Sequence, residues 1–201
     1  MYILDWIMVP IQIIIFLFTV YYFLIGVNGL WRKKEKKILT PQKTFAVIVA
    51  AHNESAVIGQ LVDNLKMLDY PKELYDIFVI ADNCTDNTAQ IARDCGAIVH
   101  ERFNDKERGK GFAMEWMFAR LFEMKRKYDA VAIFDADNLV DKRFLLEMNN
   151  RLCKGDKLVQ GYLDAKNPYD TWVSGTFAIA FWVIDHIWHL AKTNIGLSSV
   201  L

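Results

Sequence analysis

The sequence predicts an α/β domain with a mainly parallel sheet, preceded by one transmembrane helix. Three observations carry that prediction. After Pro41, short apolar runs alternate with stretches of helical periodicity, a pattern that builds βαβ units with right-handed crossovers. A long uncharged stretch occupies the N-terminus. One apolar run, Ala130-Val131-Ala132-Ile133-Phe134, stops in Asp135-Ala136-Asp137, two carboxylates separated by one residue.

Composition narrows the functional classes. A chain of 201 residues has room for about one domain and a short extension. The formal net charge is zero, so nothing global points to nucleic acid. The three cysteines, Cys84, Cys95 and Cys153, form no Cys-x-x-Cys. That usage suits a reducing compartment and argues against a disulfide framework or a structural zinc site.

The stretch from Ile7 to Trp31 carries no charge. About 20 apolar residues cross the hydrocarbon core, so it is long enough to span with some tilt. Trp6 and Trp31 stand where interfacial anchors belong. Arg32-Lys33-Lys34-Glu35-Lys36-Lys37 follows at once, and the positive-inside rule puts that flank and the domain after it in the cytoplasm. A cleaved signal peptide fits poorly. No basic residue precedes the apolar run, the run is too long, and no small-x-small site precedes the basic cluster. Residues 1–40 are therefore read as a signal-anchor helix with a basic juxtamembrane segment in a lipid bilayer.

The body of the chain follows in order. Phe45–Ala51 (FAVIVAA) is a buried-strand run, and Glu54–Leu68 has helical spacing. Tyr75–Ala81 (YDIFVIA) is a second strand, Thr85–Cys95 a helix, and Ala97–Glu101 a third strand. Gly109–Lys127 is a long helix, Ala130–Phe134 the fourth strand, and Asp141–Cys153 a helix capped by Asp141. Leu158–Leu163 reads as a fifth strand.

Function should sit in the loops after the strands, because open α/β sheets bind ligands at their carboxyl edge. Three such loops carry acids or amides: His52-Asn53-Glu54-Ser55, Asp82 through Thr88, and Asp135 through Asn138. Asp86 and Thr88 are explicable as helix caps alone. The Asp-x-Asp pair offers hard oxygen ligands to Mg²⁺ or Mn²⁺, cations that usually also bind substrate phosphates. Arg108-Gly109-Lys110-Gly111 opens the long helix and suits an anion, because backbone N–H groups, dipole and ammonium converge there. It lacks Walker A spacing, and no Gly-x-Gly-x-x-Gly follows the first strand, which excludes a Rossmann dehydrogenase.

Four motifs in order then resemble a known family: Ala50-Ala51-His52-Asn53-Glu54, Val79 through Thr88, Gly109-Lys110-Gly111, and Phe134-Asp135-Ala136-Asp137. Together they resemble family 2 glycosyltransferases, and within them the membrane-bound processive synthases of the cellulose, chitin and hyaluronan type. The resemblance covers residues 45 to about 165. It implies a glycosyltransferase-A fold, Rossmann-like, over 41–168. It also implies metal-dependent, inverting transfer from a nucleoside-diphosphate sugar, commonly a UDP-sugar, to a growing glycan or lipid-linked acceptor. By matched position Ala51, Asn53 and Glu54 would line the nucleoside pocket and Asp82 would contact the base. Lys110 would lie near the nucleotide, Asp135 would approach ribose or metal, and Asp137 would hold Mg²⁺ or Mn²⁺. The family often has Asp-Asp where this chain has Ala81-Asp82, so base contact rests on one carboxylate.

The same family supplies its catalytic base in a Thr-Glu-Asp-like motif, followed by Gln-x-x-Arg-Trp and further membrane helices. None of these stands before Leu201. The resemblance thus reads the chain as an N-terminal part of a longer enzyme, with the base expected beyond Leu201. Asp164 and Asp170 are remaining acids that nothing marks as a base. Two alternatives stay open: a nucleotide-sugar-binding part of a split synthase, and a sugar transferase acting on polyprenyl phosphate. The aromatic stretch within 169–201 reads either as an interfacial helix or as a core helix with its partner elsewhere. There His186 and His189, three apart, share a helical face near Asp185, a polar or acceptor-facing surface more than a metal site. His52 and His100 read as structural or pocket-lining.

Overall fold

The computed structural model of the protein describes residues 3–31 and 39–197. The basic cluster Arg32–Lys37, on which the cytoplasmic orientation rests, lies outside the described residues. The chain forms two compact units, one of residues 1–36 and 160–201, the other of residues 37–159. The N-terminal helix and the aromatic C-terminal stretch, far apart in sequence, thus belong to one unit.

The helices are α1 (Ile3–Val27), α2 (Ile58–Lys66), α3 (Thr88–Asp94), α4 (Lys110–Glu123), α5 (Phe144–Cys153), α6 (Trp172–Val183) and α7 (Leu190–Asn194). In the unit of residues 37–159, strands β1 (Phe45–Ala51), β2 (Tyr75–Asp82), β3 (Ile98–Arg102) and β4 (Ala130–Asp135) form one sheet in the order β3-β2-β1-β4. Every neighbouring pair is parallel.

β1 is the centre of that sheet, and its sequence explains why. Side chains alternate between faces along a strand. Phe45, Val47, Val49 and Ala51 pack with Ile58, Leu61 and Leu65 of α2, Ala92 of α3 and Leu145 of α5. Ala46 and Ile48 face Met114, Met117 and Leu121 of α4 on the opposite side. Both faces being covered, the strand is apolar throughout rather than alternating. Phe45 to Val49 are each at most 1% exposed. Burial of each large side chain among them stabilises by roughly 1.5–3 kcal/mol as an upper figure. The two-sided core follows from this one strand.

Several element boundaries differ from the sequence expectation, for local reasons. α2 begins at Ile58 rather than Glu54: residues 55–57 form a turn in which Glu54 O accepts the Val57 and Ile58 N–H groups at 3.1 and 3.0 Å, while the Glu54 N–H goes to Thr88 Oγ1 at 2.8 Å. α3 begins at Thr88 rather than Thr85, whose N–H donates to Asn53 Oδ1 at 2.8 Å. α4 ends at Glu123, where Met124 turns extended. α5 begins at Phe144; Asp141 Oδ1 instead accepts the Arg143 N–H at 2.8 Å in the turn before it. The expected strand Leu158–Leu163 is absent: Gly161 interrupts the run, and Leu158, Tyr162 and Leu163 stay exposed rather than finding a face to bury.

A polar knot holds the segment before β1. Asn149 of α5 is fully buried, and its Oδ1 accepts from the Gln42 and Lys43 N–H groups at 3.1 and 3.2 Å and from Tyr70 Oη at 3.2 Å. Its Nδ2 donates to Thr40 O at 3.2 Å. Asn150, also buried, accepts the Leu39 N–H at 2.8 Å. Burial pushes the Tyr70 phenol up to about 12, so it stays a donor at any physiological pH.

In the other unit, Trp6–Leu30 is long and apolar enough to cross a membrane, with a mean hydropathy of 2.2. Thr171 and Ser174 form a capping box at the start of α6. A π turn, Ile184–His189, joins α6 to α7. Gly29 sits against it so closely that a Cβ there would lie 2.1 Å from Ile187 O. Asn194 Nδ2 donates to Asn28 O and Trp31 O, both at 2.8 Å, and so caps the turn that ends α1. Within this π turn His189 Nδ1 pairs with Asp185 Oδ1 at 2.8 Å, and the His186 ring packs between Tyr162 and Trp182.

Asn149→Ala leaves the Gln42 and Lys43 N–H groups and the buried Tyr70 hydroxyl without their shared acceptor. It is expected to lower stability by about 2–4 kcal/mol, read as a fall in the thermal unfolding midpoint against the parent protein. A loss within experimental error would show that the knot contributes nothing.

Candidate functional site

The carboxyl ends of the strands lie along one edge of the sheet. Register sets them side by side: Ala51 beside Ala81, Asp82 beside Arg102, and Ala50 beside Asp135. After β3 the chain returns across the sheet through α4 to β4 on the far side of β1. Strand order therefore reverses between β1 and β4, the place where open α/β sheets bind ligands.

Two loops build the first wall. Asn53 and Asn83 hold left-handed backbone, φ 56° and 50°, a conformation asparagine tolerates best after glycine. Asn53 Oδ1 accepts the Thr85 N–H, and Ser55 N–H donates to Asp86 Oδ2 at 3.2 Å. Asp86 Oδ1 accepts the Thr88 N–H at 3.0 Å. Hydrogen bonds from the Thr88 hydroxyl foremost, with those from Ser55 behind, hold the Asp86 carboxyl down to about 2. Asp86 and Thr88 are therefore braces between the β1 and β2 loops and not helix caps alone. His52 Nδ1–H donates to Asp82 O at 2.7 Å, which fixes the orientation of the ring.

Asp82 and Arg102 form the floor. Arg102 Nη1 donates to Asp82 Oδ1 at 2.7 Å, with the two side chains 2% and 10% exposed. Arg102 Nη2 donates to Glu107 O at 2.7 Å. Two charges this deep need each other, because an unpaired one would carry the full cost of lost hydration.

Between these walls lies a cavity of about 650 Å³, within the range of small-ligand sites. Ala51, His52 and Asn53 line it from the β1 side, and Asp82, Asn83 and Cys84 from the β2 side. Phe103, 69% exposed, stands at its margin. Arg108, Gly109 and Lys110 close it at the start of α4. Burial pushes the Cys84 thiol up, so it remains protonated.

Lys110 joins this cavity to the Asp-x-Asp turn, since its Nζ pairs with Asp135 Oδ1. The turn is fixed by Asn138, whose Oδ1 accepts the Asp135 N–H at 3.0 Å. Ala136 is buried while Asp135 and Asp137 are exposed. Asp137 has one polar contact, with Asn138 Nδ2 at 3.5 Å. No group of three or more His, Cys, Asp or Glu able to hold a metal occurs among the described residues. A cation at this turn would thus take its remaining ligands from water or phosphate.

Of the residues singled out in the sequence, Ala51, Asn53, Asp82 and Lys110 line the cavity; Asp135 reaches it through Lys110, and Asp137 stands beside Asp135 at the same edge. Glu54 lines no part of it; its backbone serves the loop brace instead. Arg102 was not singled out in the sequence, and Asn83 stood only as one member of the loop from Asp82 through Thr88. His100 is structural, packed against Phe78 and Trp116.

A sequence profile for the family described as glycosyltransferase like family 2 matches residues 41–191. A beta-monoglucosyldiacylglycerol synthase of Nostoc sp. is 32% identical over 122 residues, 58% of this chain and 25% of that protein. Protein RfbJ of Shigella flexneri is 30% identical over 131 residues, 65% of this chain and 93% of RfbJ. A mannosyltransferase of Pyrobaculum calidifontis, solved with GDP-Man and Mn²⁺, superimposes with a TM-score of 0.54 at 23% identity, over 78% of this chain and 45% of that one. At that identity the likeness is one of fold, a glycosyltransferase-A sheet with its helices. The chain spans about a quarter of the length of the glucosyldiacylglycerol synthases it matches.

Thr88→Val removes the acceptor of the Glu54 N–H and the donor to Asp86. It is expected to return the Asp86 carboxyl toward its ordinary value of 3.8. In the parent protein the stability contributed by Asp86 is complete above about 3.8 and is lost as pH falls through about 2. In the variant that contribution shrinks, so the stability difference between the two proteins, present above about 3.8, should narrow as pH falls toward about 2, which acid unfolding curves of the two proteins would register. Superimposable curves would remove Asp86 from the bracing.

Proposed function

The chain belongs to the glycosyltransferase like family 2, and on that premise we propose that it takes part in moving a sugar from a nucleoside-diphosphate donor, a UDP-sugar foremost, to a glycan or lipid-linked acceptor. The observation that carries this reading is the cavity at the strand edge, with a buried carboxylate in its floor and a lysine at a helix start leading from it to the Asp-x-Asp turn.

Each part suits one part of such a donor. Asp82 offers an acceptor to a base N–H. Ala51 and Asn53 supply a wall for the nucleoside. The α4 start combines Lys110 with unpaired backbone N–H groups, the arrangement that holds phosphate. Asp137 and Asp135 are hard oxygen donors, and the Lys110 ammonium already sits on Asp135 as a cation would. The donor set therefore fits Mg²⁺ or Mn²⁺ shared with a diphosphate. When bound, such an ion neutralises charge on the departing nucleoside diphosphate. Inverting transfer further needs a carboxylate to take the acceptor hydroxyl proton; no residue of this chain is assigned that part.

The acceptor side of the reading rests on two supports. The family likeness to diacylglycerol glucosyltransferases favours a lipid-linked acceptor. The apolar helix Trp6–Leu30 favours a membrane position, with the transferase domain in the cytoplasm by the basic flank. Processive synthesis of the cellulose, chitin or hyaluronan type remains a narrower proposal that the family assignment does not carry.

Titration of UDP into the full chain in detergent, with Mn²⁺ and then with EDTA, tests the donor site. Binding is expected with the metal and not with EDTA. Asp137→Ala is expected to abolish the metal-dependent part while the unfolding free energy stays within about 0.5 kcal/mol of the parent, since an exposed loop carboxylate contributes little to stability. Unchanged UDP affinity in that variant would sink the assignment. Separately, the full chain should stay with the membrane fraction through carbonate extraction; release would overturn the spanning helix.

A further inference from the structure

Asp82 is held unevenly. Its Oδ1 takes two donors, Arg102 Nη1 at 2.7 Å and Asn83 Nδ2 at 3.2 Å. Its Oδ2 takes no hydrogen bond from any described residue, and Asp82 lines the cavity. The two donors are themselves fixed. Arg102 Nη2 donates to Glu107 O, and Asn83 exchanges hydrogen bonds with Asn104, accepting its N–H at 2.8 Å and donating to its O at 3.2 Å. The carboxylate cannot turn to offer both oxygens without breaking a buried ion pair.

That asymmetry matters to a nucleobase. Guanine presents a ring N–H and an amino N–H side by side, and a carboxylate satisfies both only with two free oxygens. Uracil presents one ring N–H flanked by two carbonyl oxygens, so a second carboxylate oxygen would face like charge. A carboxylate with one free oxygen therefore suits uracil, and it leaves a guanine amino group without its acceptor. A buried donor left unmet costs enough to discriminate by roughly tenfold to a hundredfold.

We propose that Arg102 and Asn83 are positioning residues for base selection: by filling Asp82 Oδ1 they leave Oδ2 as the acceptor facing the cavity, and so favour a uracil nucleotide over a guanine nucleotide. This rests on the donor-site reading above and deepens it. Neither residue need touch the nucleotide; each acts through Asp82.

The test is calorimetric titration of UDP and of GDP into the full chain in detergent, at fixed Mn²⁺. The parent protein is expected to bind UDP about tenfold to a hundredfold more tightly than GDP. Asn83→Gly keeps the left-handed backbone and removes the second donor on Oδ1, so the UDP-to-GDP ratio should fall several-fold. Arg102→Lys loses the planar fork, and the ratio should approach one. A purely structural role would weaken both nucleotides alike and leave the ratio unmoved. Should Arg102→Lys fail to fold, judged by circular dichroism, Asn83→Gly carries the test alone. Equal affinities in the parent, tighter GDP, or a ratio unmoved by the substitutions would overturn the inference while leaving the donor site standing. Failure of the parent to bind either nucleotide would overturn the donor site itself, and this inference with it.

Discussion

Burial of β1 on both faces and along both edges is the constraint from which the candidate site descends. Its faces are shared out by alternation, Phe45, Val47 and Val49 toward α2, α3 and α5, Ala46 and Ile48 toward α4. Its edges are taken by β2 and β4. A strand so enclosed lets polar groups emerge only at its two ends, and at its carboxyl end they face the cavity. His52 and Asn53 emerge there, with Asp82 and Asp135 delivered alongside by the two neighbouring strands in register. The hydrophobic core thus positions the polar site, because sliding β1 by one residue would invert every side chain of its run between the two faces.

What could be read from the sequence follows from the same physics. FAVIVAA and YDIFVIA announce themselves because total burial removes polar residues from the run. The Asp-x-Asp turn is legible because it ends such a run. Asn149 was invisible: an amide bonded to Gln42 and Lys43, over a hundred positions away, leaves no periodic trace. Arg102 was hidden for a different reason. On edge strand β3 the apolar Ile98 is 45% exposed while the arginine is 3% exposed. That inverts the usual expectation that charge faces water, and only the partner Asp82 on the next strand accounts for it. Ahead of the late starts of α2 and α3, the Glu54 and Thr85 N–H groups go to Thr88 Oγ1 and Asn53 Oδ1, cross-loop bonds that no local pattern in the sequence announces.

The charges of the site are arranged in two pairs of opposite character. Arg102–Asp82 is buried, directional and held by further hydrogen bonds, so it behaves as fixed architecture. Lys110–Asp135 is half-exposed, with side chains 49% and 59% accessible, so water and salt compete with it readily. One pair can hold a shape while the other exchanges partners.

The pairing of β1 with β4 also bears on how the chain acquires its structure. Phe45 finds Ala130 across the whole of the intervening β2, β3 and α4, and closing so long a loop costs entropy before any contact is gained. Parallel pairings of this kind fold slowly for that reason. During synthesis, β1 and β2 can associate while one edge of β1 still waits for a strand that has not yet been made. Until residue 135 has emerged, that edge is an unsatisfied row of N–H and C=O groups, open to a second nascent chain. The lysine at the start of α4 meets its carboxylate only at that last step, so the completed rim of the cavity coincides with the covering of the open edge of β1.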